Sequence, residues 1–326
     1  MKKNWKKKQE MVFVYYIRAL ASLSVAVAHI YNEFLTNFYN SSPNMLIKIL
    51  LEFIYTGGFG VSMFFLLSGF IVPYSYVDIR SFFFRRSFRI FPVFLLACLL
   101  QHIIVGPNAW NVYSYSLLFA DILHTPYILE GVDWTLRIEV MFYLYIALCL
   151  WSNKFNLKCV YITSFFILGL SIINKIYLLS ERPLPLLYTN LLLIGALFYL
   201  KHRQLFPIKE ITKCLYLICF NFTLIFLFCE SIPYKYNIYP FLAIISFILC
   251  FQLQKLFKTN NIIIWLSNCS YSLYLLHIFL FKHILLELYF LPTAFSHIFS
   301  WVILLILCTF IHSGIENKLI RFSKRL

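Results

Sequence analysis

The sequence predicts an all-α integral membrane protein, a bundle of about ten transmembrane helices, and three observations carry that prediction. Of its 326 residues, 61% are hydrophobic and only 13% charged, proportions outside the range of a soluble domain. Ten apolar stretches approach the ~20 residues needed to cross ~30 Å of hydrocarbon. Lys and Arg, which give the chain a formal charge of +15, gather in alternate connections between those stretches, as the positive-inside rule requires of cytoplasmic loops.

The spans run over 11–31, 46–73, 90–106, 134–152, 158–179, 186–201, 213–231, 237–256, 262–288 and 295–315. The third and sixth are short, so tilt, re-entry or extension by their flanks is expected there. With the N-terminus inside, the cytoplasmic segments hold Lys2, Lys3, Lys6, Lys7 and Lys8, then Arg80, Arg85, Arg86 and Arg89, then Lys154 and Lys158. Further along they hold Lys201, Arg203, Lys209 and Lys213, then Lys255 and Lys258, and lastly Lys318, Arg321, Lys324 and Arg325. The outer loops and their margins carry only Lys48, Arg182 and Lys235, while Arg18, Arg137, Lys175 and Lys282 stay within spans. An even number of spans with both termini cytoplasmic fits this pattern. The expectation is a single multi-pass domain over 1–326 in the cell's inner, cytoplasmic membrane, with no fused soluble domain.

The basic residues recur between apolar spans rather than on a soluble module, which argues against nucleic acid as a partner. Nine cysteines at 98, 149, 159, 214, 219, 229, 250, 269 and 308 include no C-x-x-C pair and fall mostly within apolar runs. They read as small core hydrophobes, with neither a disulfide framework nor a metal site.

Span 1 carries Arg18 and His29. Eleven positions apart, they fall about 20° apart in azimuth and roughly 16 Å apart in height on an α-helix, so both look out of one face. An arginine at membrane depth costs roughly 3 kcal/mol on insertion scales and calls for a partner, a cavity or a job. A signal peptide would also explain the lysine-rich start and Ala26-Val27-Ala28, but Arg18 interrupts the apolar run and the chain stays hydrophobic beyond residue 29.

Span 2 contains Gly57-Gly58-Phe59-Gly60 and ends in Phe64-Phe65-Leu66-Leu67-Ser68-Gly69-Phe70. Small residues of this kind serve close helix packing, and equally leave a slot for a thin, extended ligand. After it comes Arg85-Arg86-Ser87-Phe88-Arg89, whose arginines three and four apart would form one basic helix face. That face is either a solvated flank or a phosphate site, since guanidinium forks bind phosphate bidentately.

The outer stretch 107–133, with Trp110, Asp121, His124, Glu130 and Asp133, suits either carbohydrate or an interfacial aromatic belt. Span 4 opens with Trp134 and holds Arg137, Glu139 and Tyr143. Arg137 and Glu139, two apart, point to different sides and each needs a partner elsewhere. Spans 5 to 8 read as scaffold. Span 9 brings Ser270-Tyr271-Ser272-Leu273-Tyr274-Leu275-Leu276-His277.

Together these stretches resemble the membrane-bound acyltransferase family 3, whose hallmark is Arg or Lys, ten residues, then His in the first helix. Arg18 and His29 have that spacing, and four further stretches follow in the family's order: Phe64 to Phe70, Arg86 to Pro92, Trp134 to Tyr143 and Ser270 to His277. One departure is Tyr15, where relatives often carry an acid, so a partner for Arg18 must come from another part of the chain.

The resemblance implies transfer of an acyl group, usually acetyl, from cytoplasmic acyl-CoA to a hydroxyl of a cell-surface or lipid-linked glycan. His29 is then the candidate general base, because an imidazole titrating near neutrality can take the proton of an attacking hydroxyl. Arg18 and Glu139 join it as candidate catalytic residues. Arg85, Arg86 and Arg89, with Ser68 and Gly69, are candidates for holding acyl-CoA; Trp134, Tyr143, Tyr274 and His277 are candidates for contacting the acceptor. The rival readings are a transporter or flippase that uses Arg18, Arg137, Glu139 and His277 as pathway charges, and an acyltransferase for a small metabolite. Against transport, no clear internal repeat relates spans 1 to 5 with 6 to 10.

Overall fold

A computed structural model describes residues 11–31, 44, 57–76, 78–105, 129–152, 155–177, 186–229, 238–288, 290 and 292–323. The predicted cytoplasmic N-terminus, most of the outer stretch 107–133 and the first half of span 2 lie outside those residues. Among the described residues the regular structure is helical throughout. The helices are α1 (Val12–Ile30), α2 (Gly58–Ile71), α3 (Ile79–Val105), α4 (Trp134–Trp151), α5 (Leu157–Tyr177) and α6 (Leu186–His202). They continue with α7 (Ile208–Leu224), α8 (Ile238–Gln252), α9 (Asn261–Glu287), α10 (Thr293–Ile311) and α11 (Asn317–Ser323).

Each of the ten expected spans therefore contains a helix. Among the described residues seven apolar stretches are long enough to cross a membrane: Val12–Ile30, Gly58–Ser75, Ile79–Ile104, Trp134–Trp151, Ile208–Phe228, Asn261–Ile284 and Phe295–Ser323. Shorter apolar helices cover Leu157–Ile173 and Tyr239–Gln252. The chain is a multi-pass membrane protein.

The third element differs from expectation. Rather than beginning at residue 90 after a basic loop, α3 starts at Ile79 and carries the arginines in its first three turns. Asp78 starts it: its side chain accepts the Ser81 N–H at 2.9 Å and its carbonyl the Phe82 N–H at 2.9 Å, satisfying donors that a helix start leaves orphaned. The bond from Ser81 holds the Asp78 carboxyl below its ordinary range. Because the helix begins before the arginines, Arg86 is carried inward and buried instead of solvated.

At the centre, α2 packs on α6, α1 and α8, and α1 packs on α9. Glycine makes the first of these crossings. A Cβ on Gly69 would stand 2.0 Å from the Leu192 carbonyl oxygen, and one on Gly195 2.0 Å from the Leu66 carbonyl oxygen, so the two backbones touch and any larger residue must force them apart. Gly60 approaches α1 in the same way: a Cβ there would stand 2.6 Å from the Ala21 carbonyl oxygen.

Helices α5, α6 and α7 are tied by a polar knot that apolar patterning hid. The Ser164 hydroxyl donates to Asn190 Oδ1 at 2.8 Å and accepts from Asn221 Nδ2 at 3.2 Å, all three side chains being buried. Such interhelical bonds replace the hydrophobic driving force that lipid cannot supply. The cysteines are mostly core residues as expected, but the thiols of Cys149 and Cys159 meet at 3.2 Å across the α4–α5 connection.

Candidate active site

Two cavities meet inside the bundle. The first, about 770 Å³ with its open mouth included, is lined by Arg18, Ser68, Arg86, Arg89, Glu139 and Tyr143, among others. The second encloses about 570 Å³ and is lined by His29, Gly58, Trp134 and Tyr188, among others. Val61 and Tyr274 belong to both linings. Sequence spacing put Arg18 and His29 on one face of α1, and both do open into cavities. They do not share one compartment: Val61 and Tyr274 stand between an arginine cavity and a histidine cavity. Bulk is the reason: the Tyr274 hydroxyl meets Thr135 Oγ1 at 2.7 Å while its ring takes the edge of Phe64 at 5.6 Å.

The arginine cavity is strongly electropositive. Among the described residues of its lining, three guanidinium groups face one carboxylate, Glu139. Arg86 is braced by its own protein: Nε donates to Ser75 Oγ at 3.1 Å, Nη2 donates to the same hydroxyl and to the Val72 carbonyl at 3.4 Å, and the guanidinium lies 5.0 Å from the centroid of the Tyr143 ring. It thereby pins the short 3₁₀ turn Val72–Ser75 that joins α2 to α3. Arg89, one turn on and only partly buried, has no hydrogen bond to any described residue, and neither has Arg18. Both are open to an anionic guest.

Glu139 finds the partners that the sequence required. Its Oε1 accepts from the Ser68 hydroxyl at 3.0 Å and from the Tyr143 hydroxyl at 2.6 Å, leaving Oε2 clear of these two bonds. Arg137 is satisfied separately by a residue the sequence reading did not single out as its partner: Nε and Nη2 both donate to Asp133 Oδ2, at 3.0 and 2.7 Å, with both side chains buried. Spacing could have shown it, since Asp133 and Arg137 are four apart, but the boundary of α4 hid the match. Arg18, lacking an acid at position 15, has Glu139 and the buried Glu316, just before α11, as its acidic neighbours.

The histidine cavity has an aromatic wall. Trp134 lies 5.0 Å from the Tyr188 ring, and Phe65 lies 6.0 Å from Trp134. The turn before α4 fixes this wall: Leu129, buried at φ +52°, donates its backbone N–H to Gln101 Oε1 at 3.1 Å. A non-glycine residue in the left-handed region persists only where its surroundings over-determine it. Neither Tyr188 nor Gln101 was a candidate from sequence, because an apolar-period pattern does not report which loop end meets which cavity.

Three expected ligand contacts lie elsewhere. Gly69 belongs to the α2–α6 crossing, where its missing side chain admits Leu192, so it does not line the arginine cavity as expected. Arg85 lines neither cavity: it lies about 100° round α3 from Arg86, with Arg89 between them. His277, expected to touch an acceptor, is fully buried behind His29, the two rings 5.4 Å apart.

A family model described as an acyltransferase domain matches residues 11–314. The chain belongs to that family. Among curated proteins it is similar to Nodulation protein 10 of Rhizobium leguminosarum bv. viciae, 31% identical over 119 residues, covering 28% of this chain and 32% of the relative. It is also similar to the acyltransferase MdmB of Streptomyces mycarofaciens, 30% identical over 144 residues, covering 39% of this chain and 36% of the relative. The matched part spans about a third of each relative's length. No solved structure matches the chain. The chain is thus a multi-pass member of an acyltransferase-domain family, and residues of its first helix, Arg18 and His29, line the two cavities.

Proposed function

We propose that the protein transfers an acetyl-type acyl group from cytoplasmic acyl-CoA to a hydroxyl of a cell-envelope polysaccharide or lipid-linked glycan. The observation that carries this reading is the pairing of an arginine-rich cavity with an aromatic, histidine-bearing one end to end. The first suits the phosphates of a nucleotide donor, where Arg89 and Arg18 offer unengaged guanidinium forks. The second suits a sugar, whose apolar face stacks on aromatic rings such as Trp134 and Tyr188. In this reading the arginine cavity opens to the cytoplasm and the histidine cavity to the far side, as the distribution of Lys and Arg along the chain requires.

The roughly 16 Å between Arg18 and His29 along α1 is a span that the extended pantetheine arm of CoA covers. Passing from one cavity to the other requires the Tyr274 and Phe64 rings to move aside. At the far end the acceptor oxygen attacks the thioester carbonyl carbon while its proton moves to His29. The tetrahedral oxyanion then collapses, the carbon–sulfur bond breaks, and the leaving thiolate takes the proton from the imidazolium. The products are an ester and the free thiol of CoA. Arg18 is too far from His29 to contact that oxyanion, which leaves it the donor's anionic end, with Glu139 setting its position.

The test is mass spectrometry of cell-surface polysaccharide from cells with and without the gene, repeated with His29→Ala. An acyl mass that needs both the gene and His29 is the expected result. Glycan translocated without any acyl label from acetyl-CoA would instead identify a transporter.

A further inference from the structure

We propose that His277 is a positioning residue that selects the tautomer of His29, its Nε2 receiving the one ring N–H that His29 carries in its basic form. The inference rests on the reading of His29 as the base and adds what prepares it.

His277 sits on α9, which packs along α1, and none of its surface is exposed. Its Nδ1 lies 2.7 Å from the Tyr274 carbonyl oxygen and 3.1 Å from that of Leu273. Carbonyl oxygens only accept, so the proton sits on Nδ1 and Nε2 carries a bare lone pair. That nitrogen is buried and has no hydrogen-bond partner. Buried polar atoms are rarely left so, and one beside a functional group calls for an explanation.

The neighbour is His29. Its ring centre is 5.4 Å from that of His277, the planes inclined at 49°, and no described residue hydrogen-bonds to it. Nδ1 of His277 is tied to its own helix, which leaves Nε2 as its untied nitrogen; in the proposal the His29 ring turns so that one of its nitrogens faces Nε2 across the 5.4 Å between the ring centres. A neutral imidazole has one N–H and one lone pair. Giving the N–H a dedicated acceptor leaves the lone pair for the acceptor hydroxyl, the arrangement by which a base is oriented through a third group in nucleophilic catalysis. The contact also lets the imidazolium that forms during attack keep one of its two protons hydrogen-bonded.

The experiment uses the full chain in detergent micelles with 15N-labelled histidine. Ring 15N shifts report the tautomer, and the His29 signal is the one that disappears in His29→Gln. In the wild type His29 is expected as one tautomer. In His277→Phe, which keeps a ring in the space, it is expected as a mixture, with kcat about 10- to 100-fold lower, the size of effect typical when a ligand's orienting partner is removed, and unchanged KM for donor and acceptor. In His277→Gln, whose amide oxygen can accept the same N–H, a single tautomer and most of kcat are expected to return. A single His29 tautomer in His277→Phe overturns the inference, as does wild-type kcat in that variant. Should His277→Phe fail to fold, a tautomer mixture in a folded His277→Gln overturns it equally. If His29→Gln itself retains full transfer, the reading of His29 as base fails instead.

Discussion

The two cavities are built on opposite plans. In the arginine cavity the protein spends its own groups on bracing: Arg86 is locked to Ser75 and Val72, and Glu139 to Ser68 and Tyr143, so that Arg18 and Arg89 stay free with a surplus of positive charge around them. Among the described residues the histidine cavity has no Lys, Arg, Asp or Glu in its lining and is walled by Trp134, Tyr188 and Tyr274 around His29. One half grips by charge and the other by shape. A low-dielectric surround strengthens the first kind of grip, whereas stacking tolerates variety in the ring it meets. The difference suits the proposed pairing of an anionic donor with a sugar acceptor.

The largest effect should come from destroying the wall common to both. Helix α2 contributes Val61 to each cavity and Ser68 to one, and its seat on α6 depends on Gly195. Gly195→Leu should drive a side chain into the Leu66 carbonyl and leave no monodisperse protein on size-exclusion chromatography. Next, Glu139→Ala strands the Ser68 and Tyr143 hydroxyls, at roughly 1–3 kcal/mol for a buried group left unpaired; thermal denaturation in detergent should show the loss. Glu139→Gln, which still accepts both bonds, should restore most of it. Trp134→Ala sharpens the contrast. It should raise KM for the acceptor by roughly 3- to 10-fold, an aromatic contact being worth about 0.5–1.5 kcal/mol, and leave donor affinity unchanged in a calorimetric titration. Smallest is Asp78→Ala, which removes an exposed helix start: a slight drop in melting temperature, with no change in either substrate's KM. Because its folded carboxyl is held below the ordinary range, that contribution is present above the unfolded carboxyl's pKa. It fades as pH falls through the lower, folded value, so wild type and variant should converge in strong acid.

Much of this arrangement was legible in the residues. The spacing of Arg18 and His29 set them on one face, the arginines of 85–89 announced a basic helix side, and Glu139 was expected to need a partner. What could not be read was anything decided by a second helix. Gly69 looked as suitable for a ligand slot as for packing until Leu192 was seen to fill the space. His277 looked like a cavity residue because its period matches Tyr274 nearly as well as any neighbour's; only the tie to the Tyr274 carbonyl shows it turned inward behind His29. The Ser164–Asn190–Asn221 knot was hidden because single polar residues in apolar helices carry no periodic signal. The divide between the cavities depends on the volume of one tyrosine, and side-chain volume at a crossing has no signature in a linear chain.

The central claim is a division of labour between charge at one end and imidazole at the other. Titrating CoA into purified Arg89→Ala and His29→Ala, and measuring acyl transfer by both, tests it most directly. The account predicts roughly 10- to 100-fold weaker CoA binding in Arg89→Ala, the effect of losing one or two charge-assisted hydrogen bonds. For His29→Ala it predicts wild-type CoA binding and transfer lower by about 100-fold or more. Equal loss of CoA binding in the two variants, or transfer that survives in His29→Ala, would contradict it.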